Sequence, residues 1–77
     1  MHDRIQQAMR EVFDNDNLVV TDDLSVDTFP DWDSLSQVKL IIALQEEFGV
    51  TFQTEEVLEA TSVGKLKGLL ASKGVAG

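Results

Sequence analysis

Between Asp3 and Asp14 the apolar residues are Ile5, Ala8, Met9, Val12 and Phe13. This i, i+3, i+4, i+7, i+8 spacing draws one stripe along a helix. Asp3 stands where an N-cap is needed, and Asp14-Asn15-Asp16-Asn17 supplies a stop. A second and stronger pattern runs from Ser34 to Phe48. There Leu35, Val38, Leu40, Ile41, Ile42, Leu44 and Phe48 cover an arc of roughly 220° when wound at about 100° per residue. An arc that wide predicts contacts on more than one side and marks a central helix, with Asp33 as N-cap and Gly49 as C-terminal stop. Thr54-Glu55-Glu56-Val57-Leu58 begins with a capping residue and first-turn acids, the signature of a short helix. Thr61 or Ser62 can cap a last helix containing Val63, Leu66, Leu69 and Leu70. Within it Gly64 and Gly68 each cost about 1 kcal/mol relative to Ala, so tertiary packing must support it.

The stretch from Asn15 to Asp33 has no sustained period. Leu18, Val19, Val20, Leu24, Phe29 and Trp32 are scattered among Asp, Thr and Ser. Val19-Val20-Thr21 resembles a strand, but nothing later offers it a partner, and a lone strand leaves its backbone groups unsatisfied. The stretch is therefore expected to be a long loop pinned to the core by its apolar residues. Long loops of this kind are commonly functional. The predicted fold is all-α: a small four-helix bundle of three longer helices and one short one, with a long first loop. One domain spans residues 1–77, with the tail from about residue 72 to 77 expected to fray.

Composition narrows the function. Fourteen Asp and Glu stand against six Lys and Arg, a net charge of −8. That balance opposes binding to phosphate backbones or anionic membrane surfaces. The absence of cysteine removes disulfide scaffolds, thiolate metal sites and cysteine nucleophiles. The longest apolar run, Leu40 to Leu44, is too short to cross a bilayer, and Met1-His2-Asp3-Arg4 lacks a signal-peptide core. A cytoplasmic monomer without membrane insertion is expected.

Independent catalysis is not expected. The one histidine, His2, sits at the N-terminus, and no Cys or Tyr is present to complete an acid–base or nucleophile pair. The loop from Asp14 to Asp33 holds Asp14, Asp16, Asp22, Asp23, Asp27, Asp31 and Asp33 and no base. Even so, it fails the EF-hand pattern. Counting from Asp14 puts Leu18 and Val19 at ligand and glycine positions, and counting from Asp27 puts Phe29 at the third. No metal site is assigned. What remains is Asp33-Ser34-Leu35 at the start of the strongest helix. A hydroxyl in the first turn faces unpaired backbone N–H groups and the positive end of the helix dipole, which would hold a phosphate ester there. The same residues serve equally as a plain helix cap.

Trp32-Asp33-Ser34-Leu35, followed by Val38-Lys39-Leu40-Ile41-Ile42-Ala43-Leu44-Gln45-Glu46-Glu47-Phe48-Gly49-Val50, resembles the acyl carrier protein family. The likeness extends over nearly the whole chain, including the first helix, the long loop and the late Thr61-Ser62-Val63 cap. It implies that a phosphopantetheinyl transferase places phosphopantetheine on Ser34. The thiol of that arm would carry acyl or aminoacyl groups as thioesters between acyl-loading and acyl-transferring enzymes. It further implies that Asp33 assists the transferase through a metal contact and that Leu35 docks on partners. Ser36, Lys39, Ile42, Ala43 and Glu46 would complete the partner face. Trp32 is either a further partner contact or packing over the helix start. In this family an acyl chain can slip between the helices. Here Val38, Ile42, Leu44, Val57 and Leu66 would line such a space, although a packed core needs the same residues.

Two departures from the family pattern matter. Carriers of fatty-acid synthesis usually show a Leu-Gly pair before the motif, where this chain has Phe29-Pro30-Asp31-Trp32. The helix after the serine is normally rich in acids, whereas here it nets −1, Lys39 against Glu46 and Glu47. Charge steering on that face is therefore expected to be weak. The reading is a specialised, freestanding carrier for lipid, polyketide or polysaccharide synthesis. The alternatives are an aminoacyl or peptidyl carrier of nonribosomal type and an unmodified helical interaction module.

Overall fold

The computed structural model describes residues 2–75. Four helices follow in order: α1 (His2–Val12), α2 (Ser34–Phe48), α3 (Thr54–Glu59) and α4 (Val63–Ser72). Ile5, Ala8 and Met9 of α1, Leu40, Ile41 and Leu44 of α2, and Val63, Leu66 and Leu70 of α4 form the core. Leu18, Val20, Trp32, Phe52 and Ala60 from the connections complete it. α3 buries no residue and lies on the outside.

The long first connection is a loop, held down by backbone hydrogen bonds that are distant in sequence. Val26 N–H donates to Thr61 O (3.0 Å), Val63 N–H to Leu24 O (2.9 Å) and Gly64 N–H to Asp22 O (2.9 Å). These bonds flank an isolated antiparallel bridge between Ser25 and Ser62. A strand partner thus exists, but it serves Ser25 and not Val19-Val20-Thr21. Gly64 has a packing reason to be glycine, because a Cβ there would stand 3.3 Å from Asp22 O. The loop's other end is fixed by aromatic contacts. Phe13 meets Phe29 edge-on at 4.8 Å between ring centroids, and Trp32 at 6.5 Å.

Helix ends agree with the sequence in part. Asp33 caps α2 by accepting the Ser36 N–H, and Gly49 closes it in the left-handed region at φ 66°. Ser62 caps α4 by accepting the Lys65 N–H. Asp3, expected as an N-cap, instead lies inside the first turn of α1, where its charge faces the positive helix end. Thr54 is likewise the first helical residue and not the cap. The N-cap of α3 is Gln53, whose N–H is taken by the Glu56 carboxylate at 2.8 Å.

α4 continues through Ser72, Lys73 pairs with Glu56 at 2.8 Å, and Val75 packs against the core. Fraying expected at Ala76 and Gly77 falls outside the described residues. The wide apolar arc of α2 is also not wholly buried. Leu35 is 65 %, Val38 53 % and Ile42 49 % exposed, so one flank of the arc faces solvent.

Candidate functional site

Ser34 opens α2 and is exposed to solvent. The residue before it, Asp33, has extended backbone geometry (φ −101°, ψ −174°), and its Oδ1 accepts the Ser36 N–H at 2.9 Å. This backbone hydrogen bond, followed by the interaction with the Ser36 side chain, holds the Asp33 carboxyl below the usual carboxylate range. Asp33 is therefore ionised at neutral pH, beside a primary hydroxyl at the positive end of a fifteen-residue helix.

A groove of about 410 Å³ starts at Ser34 and runs between α2 and α3, lined by Val26, Trp32, Gln37, Val38, Val57, Leu58 and Thr61. Its volume lies within the roughly 300–1,000 Å³ of small-molecule sites. Its walls are mainly aliphatic, and its floor carries one amide, that of Gln37. The Gln37 carbonyl accepts the Trp32 indole N–H at 2.5 Å, while its amide nitrogen donates to Val57 O (3.0 Å) and Ala60 O (2.9 Å). The amide orientation follows from chemistry, since an indole N–H only donates and a carbonyl only accepts.

The residues expected on a partner face separate into three groups. Leu35, Lys39, Ile42 and Glu46 are exposed and share one side of α2, with Val38 among them. Ser36 and Ala43 lie further round the helix and are half-buried. Ala43 and Glu46 also line a second depression, of about 230 Å³, between α1 and α2. Arg4 sits in that depression, donating to the Glu47 carboxylate at 2.9 Å and stacking 4.5 Å from the Phe48 ring centroid. Of the two readings of Trp32, the structure shows the packing one: it is 2 % exposed, packed on Phe13 and hydrogen-bonded to Gln37, with little surface left for a partner.

Sequence reasoning missed Gln37 altogether. The available signal was its register, since Gln37 falls three, four and seven residues before Leu40, Ile41 and Leu44, on the helix side that turns inward. A polar residue on that side has to find buried partners.

An exposed hydroxyl on a helix N-terminus, beside a groove of about 410 Å³ with mostly apolar walls, suits a phosphate ester with a flexible organic tail. The family model for the phosphopantetheine attachment site matches residues 3–70. Among curated protein sequences none matches significantly. Among solved structures, the solution NMR structure of the holo acyl carrier protein from Geobacter metallireducens superposes with a TM-score of 0.83 at 34 % identity. The alignment covers 92 % of this chain and 82 % of that one. Match, fold and site geometry agree: this chain belongs to the acyl carrier protein family, carrier proteins whose cofactor is a covalently bound phosphopantetheine.

Proposed function

We propose that Ser34 is the attachment residue and that the chain is a specialised carrier of acyl groups. The observation that carries this reading is the exposed Ser34 hydroxyl at the start of α2, standing at the mouth of the α2–α3 groove. In the loading step Ser34 Oγ forms a bond to the pantetheine-side phosphorus of coenzyme A. The pyrophosphate P–O bond breaks, adenosine bisphosphate leaves, and the hydroxyl proton passes to a base of the transferase. Asp33, kept ionised by its cap, is placed to offer a carboxylate oxygen to the transferase's metal. The group supplies, once bound, a terminal thiol that holds cargo as a thioester. The backbone N–H groups of the first turn of α2 stabilise the phosphodiester charge.

Partners meet the exposed side of α2 at Leu35, Lys39, Ile42 and Glu46. Val38 and the 74 %-exposed Leu58 extend that surface across the groove. Glu47 is neutralised by Arg4, which leaves Lys39 and Glu46 to offset each other. Such a face favours apolar docking over charge steering, unlike the acid-rich helix of fatty-acid carriers, and supports a dedicated pathway.

Intact mass after incubation with coenzyme A and a promiscuous transferase tests the reading. A gain of one phosphopantetheine group in the native chain, absent in Ser34→Ala, is expected. Ser34→Ala should keep its helical circular dichroism, because an exposed hydroxyl is all that is lost. No gain with several transferases would favour the second reading, an unmodified interaction module using the exposed apolar stripe of α2.

A further inference from the structure

We infer that Gln37 is a strut that fixes α3 against α2 and confines the cargo to the surface groove, closing the route from Ser34 into the bundle. This rests on attachment at Ser34. Side chains on the inward side of α2 follow in the order Gln37, Leu40, Ile41, Leu44. Anything descending from Ser34 between α2 and α3 therefore meets Gln37 before it meets the core. Gln37 is not a loose obstacle. Its carbonyl is tied to the buried Trp32, and its amide nitrogen to two carbonyls at the C-terminal end of α3.

Those two carbonyls explain why the strut governs α3. A six-residue helix whose one core contact is the half-buried Val57 depends largely on what holds its ends. The N-terminal end is held by Glu56, which accepts the Gln53 N–H and pairs with Lys73. The C-terminal end has carbonyls at Val57 and Ala60 that Gln37 satisfies. Moving α3 outward to admit a chain would strip from Gln37 its two hydrogen bonds to the C-terminal end of α3, while the Trp32 bond stays in place. It would leave the Gln37 amide N–H groups and the Ala60 carbonyl without partners against an aliphatic core, with the Val57 carbonyl keeping only the Ala60 N–H at 3.3 Å. Beyond the strut, Leu40, Leu44, Val63, Leu66 and Leu70 are each fully buried and would have to part as well. Remaining in the groove costs none of this. There Val26, Val38, Val57 and Leu58 offer a short aliphatic wall beside Ser34.

The proposal thus places the acyl group at the surface whatever its length, and names Gln37 as the positioning residue that excludes burial in the bundle. The test loads the native chain and Gln37→Met with acetyl, hexanoyl and decanoyl arms from the corresponding coenzyme A thioesters. Intact mass verifies loading before anything else is read. For the native chain, Tm should be the same for all three arms, and the methyl resonances of Leu44 and Leu66 should not move with chain length. For Gln37→Met, which keeps length but loses every hydrogen bond, Tm should rise with chain length and those methyls should shift. A native Tm that climbs from acetyl to decanoyl with shifted core methyls would overturn the proposal, even if the variant proved too unstable to load. Identical behaviour of the two proteins would overturn it as well. Failure to gain mass would instead overturn attachment at Ser34. The strut itself would then be judged in the unloaded chain, where Gln37→Met should speed amide exchange in α3 at least tenfold while α1 is unchanged. Equal exchange in α3 would refute it.

Discussion

Asp33 shows how much one carboxylate controls at the start of α2. It accepts the Ser36 N–H, and its carboxyl is depressed mainly by that backbone hydrogen bond. A group whose folded pKa lies below its unfolded value contributes stability above the unfolded value of 3.8 and loses it as the pH falls through the folded one. Asp33→Ala should therefore lower Tm at neutral pH. The gap from the native chain should narrow as the pH drops below 3.8, which thermal melts across an acid series would read. A gap independent of pH would mean that charge has no part in the cap. Asp33 and Ser34 were legible from the sequence because caps are local, a side chain answering backbone two or three residues away. Trp32 was not legible in the same way. Its burial depends on Phe13, just past the end of α1, and on Gln37 inside α2.

At the scale of the helix, α2 has two apolar flanks with opposite duties. Leu44 is fully buried, while Ile42, two residues away, is half exposed. Leu44→Ala should cost about 2–5 kcal/mol in urea unfolding, the range for a buried leucine that leaves a cavity. Ile42→Ala should stay within about 0.5 kcal/mol of the native chain. It should instead raise the KM of the loading transferase for this protein, with kcat little changed. Equal destabilisation by the two substitutions would contradict the division. Periodicity located α2 and its length, since hydrophobic spacing is a property of the element itself. It could not say which flank of a wide arc faces solvent, because that depends on where α3 and the loop settle. The Ser25–Ser62 bridge and the Gln37 hydrogen bonds to Val57 and Ala60 were hidden for a related reason. Their partners are backbone groups, which every residue carries and no sequence marks.

Charge acts on the molecule as a whole. A net charge of −8 resides on a body only 28 × 23 × 20 Å in extent. At 0.01 M salt the Debye length is about 30 Å, so every acid feels every other, whereas near 0.15 M it contracts to about 8 Å and only neighbours interact. Salt also weakens the attractive pairs Arg4–Glu47, Lys67–Asp22 and Lys73–Glu56. Arg4–Glu47 and Lys67–Asp22 lie at the surface, where such pairs contribute little, and the partly buried Lys73–Glu56 is screened less by salt; against them stands repulsion summed over all unpaired acids. Repulsion should win. Tm is expected to rise between about 0.01 M and 0.15 M sodium chloride, where screening tightens most relative to the size of the molecule, and to level off beyond. A calorimetric series in salt at constant pH checks this. A falling Tm would mean that the three ion pairs outweigh the excess acid, and that the acidic loop is locally compensated and not a field spread over the whole surface.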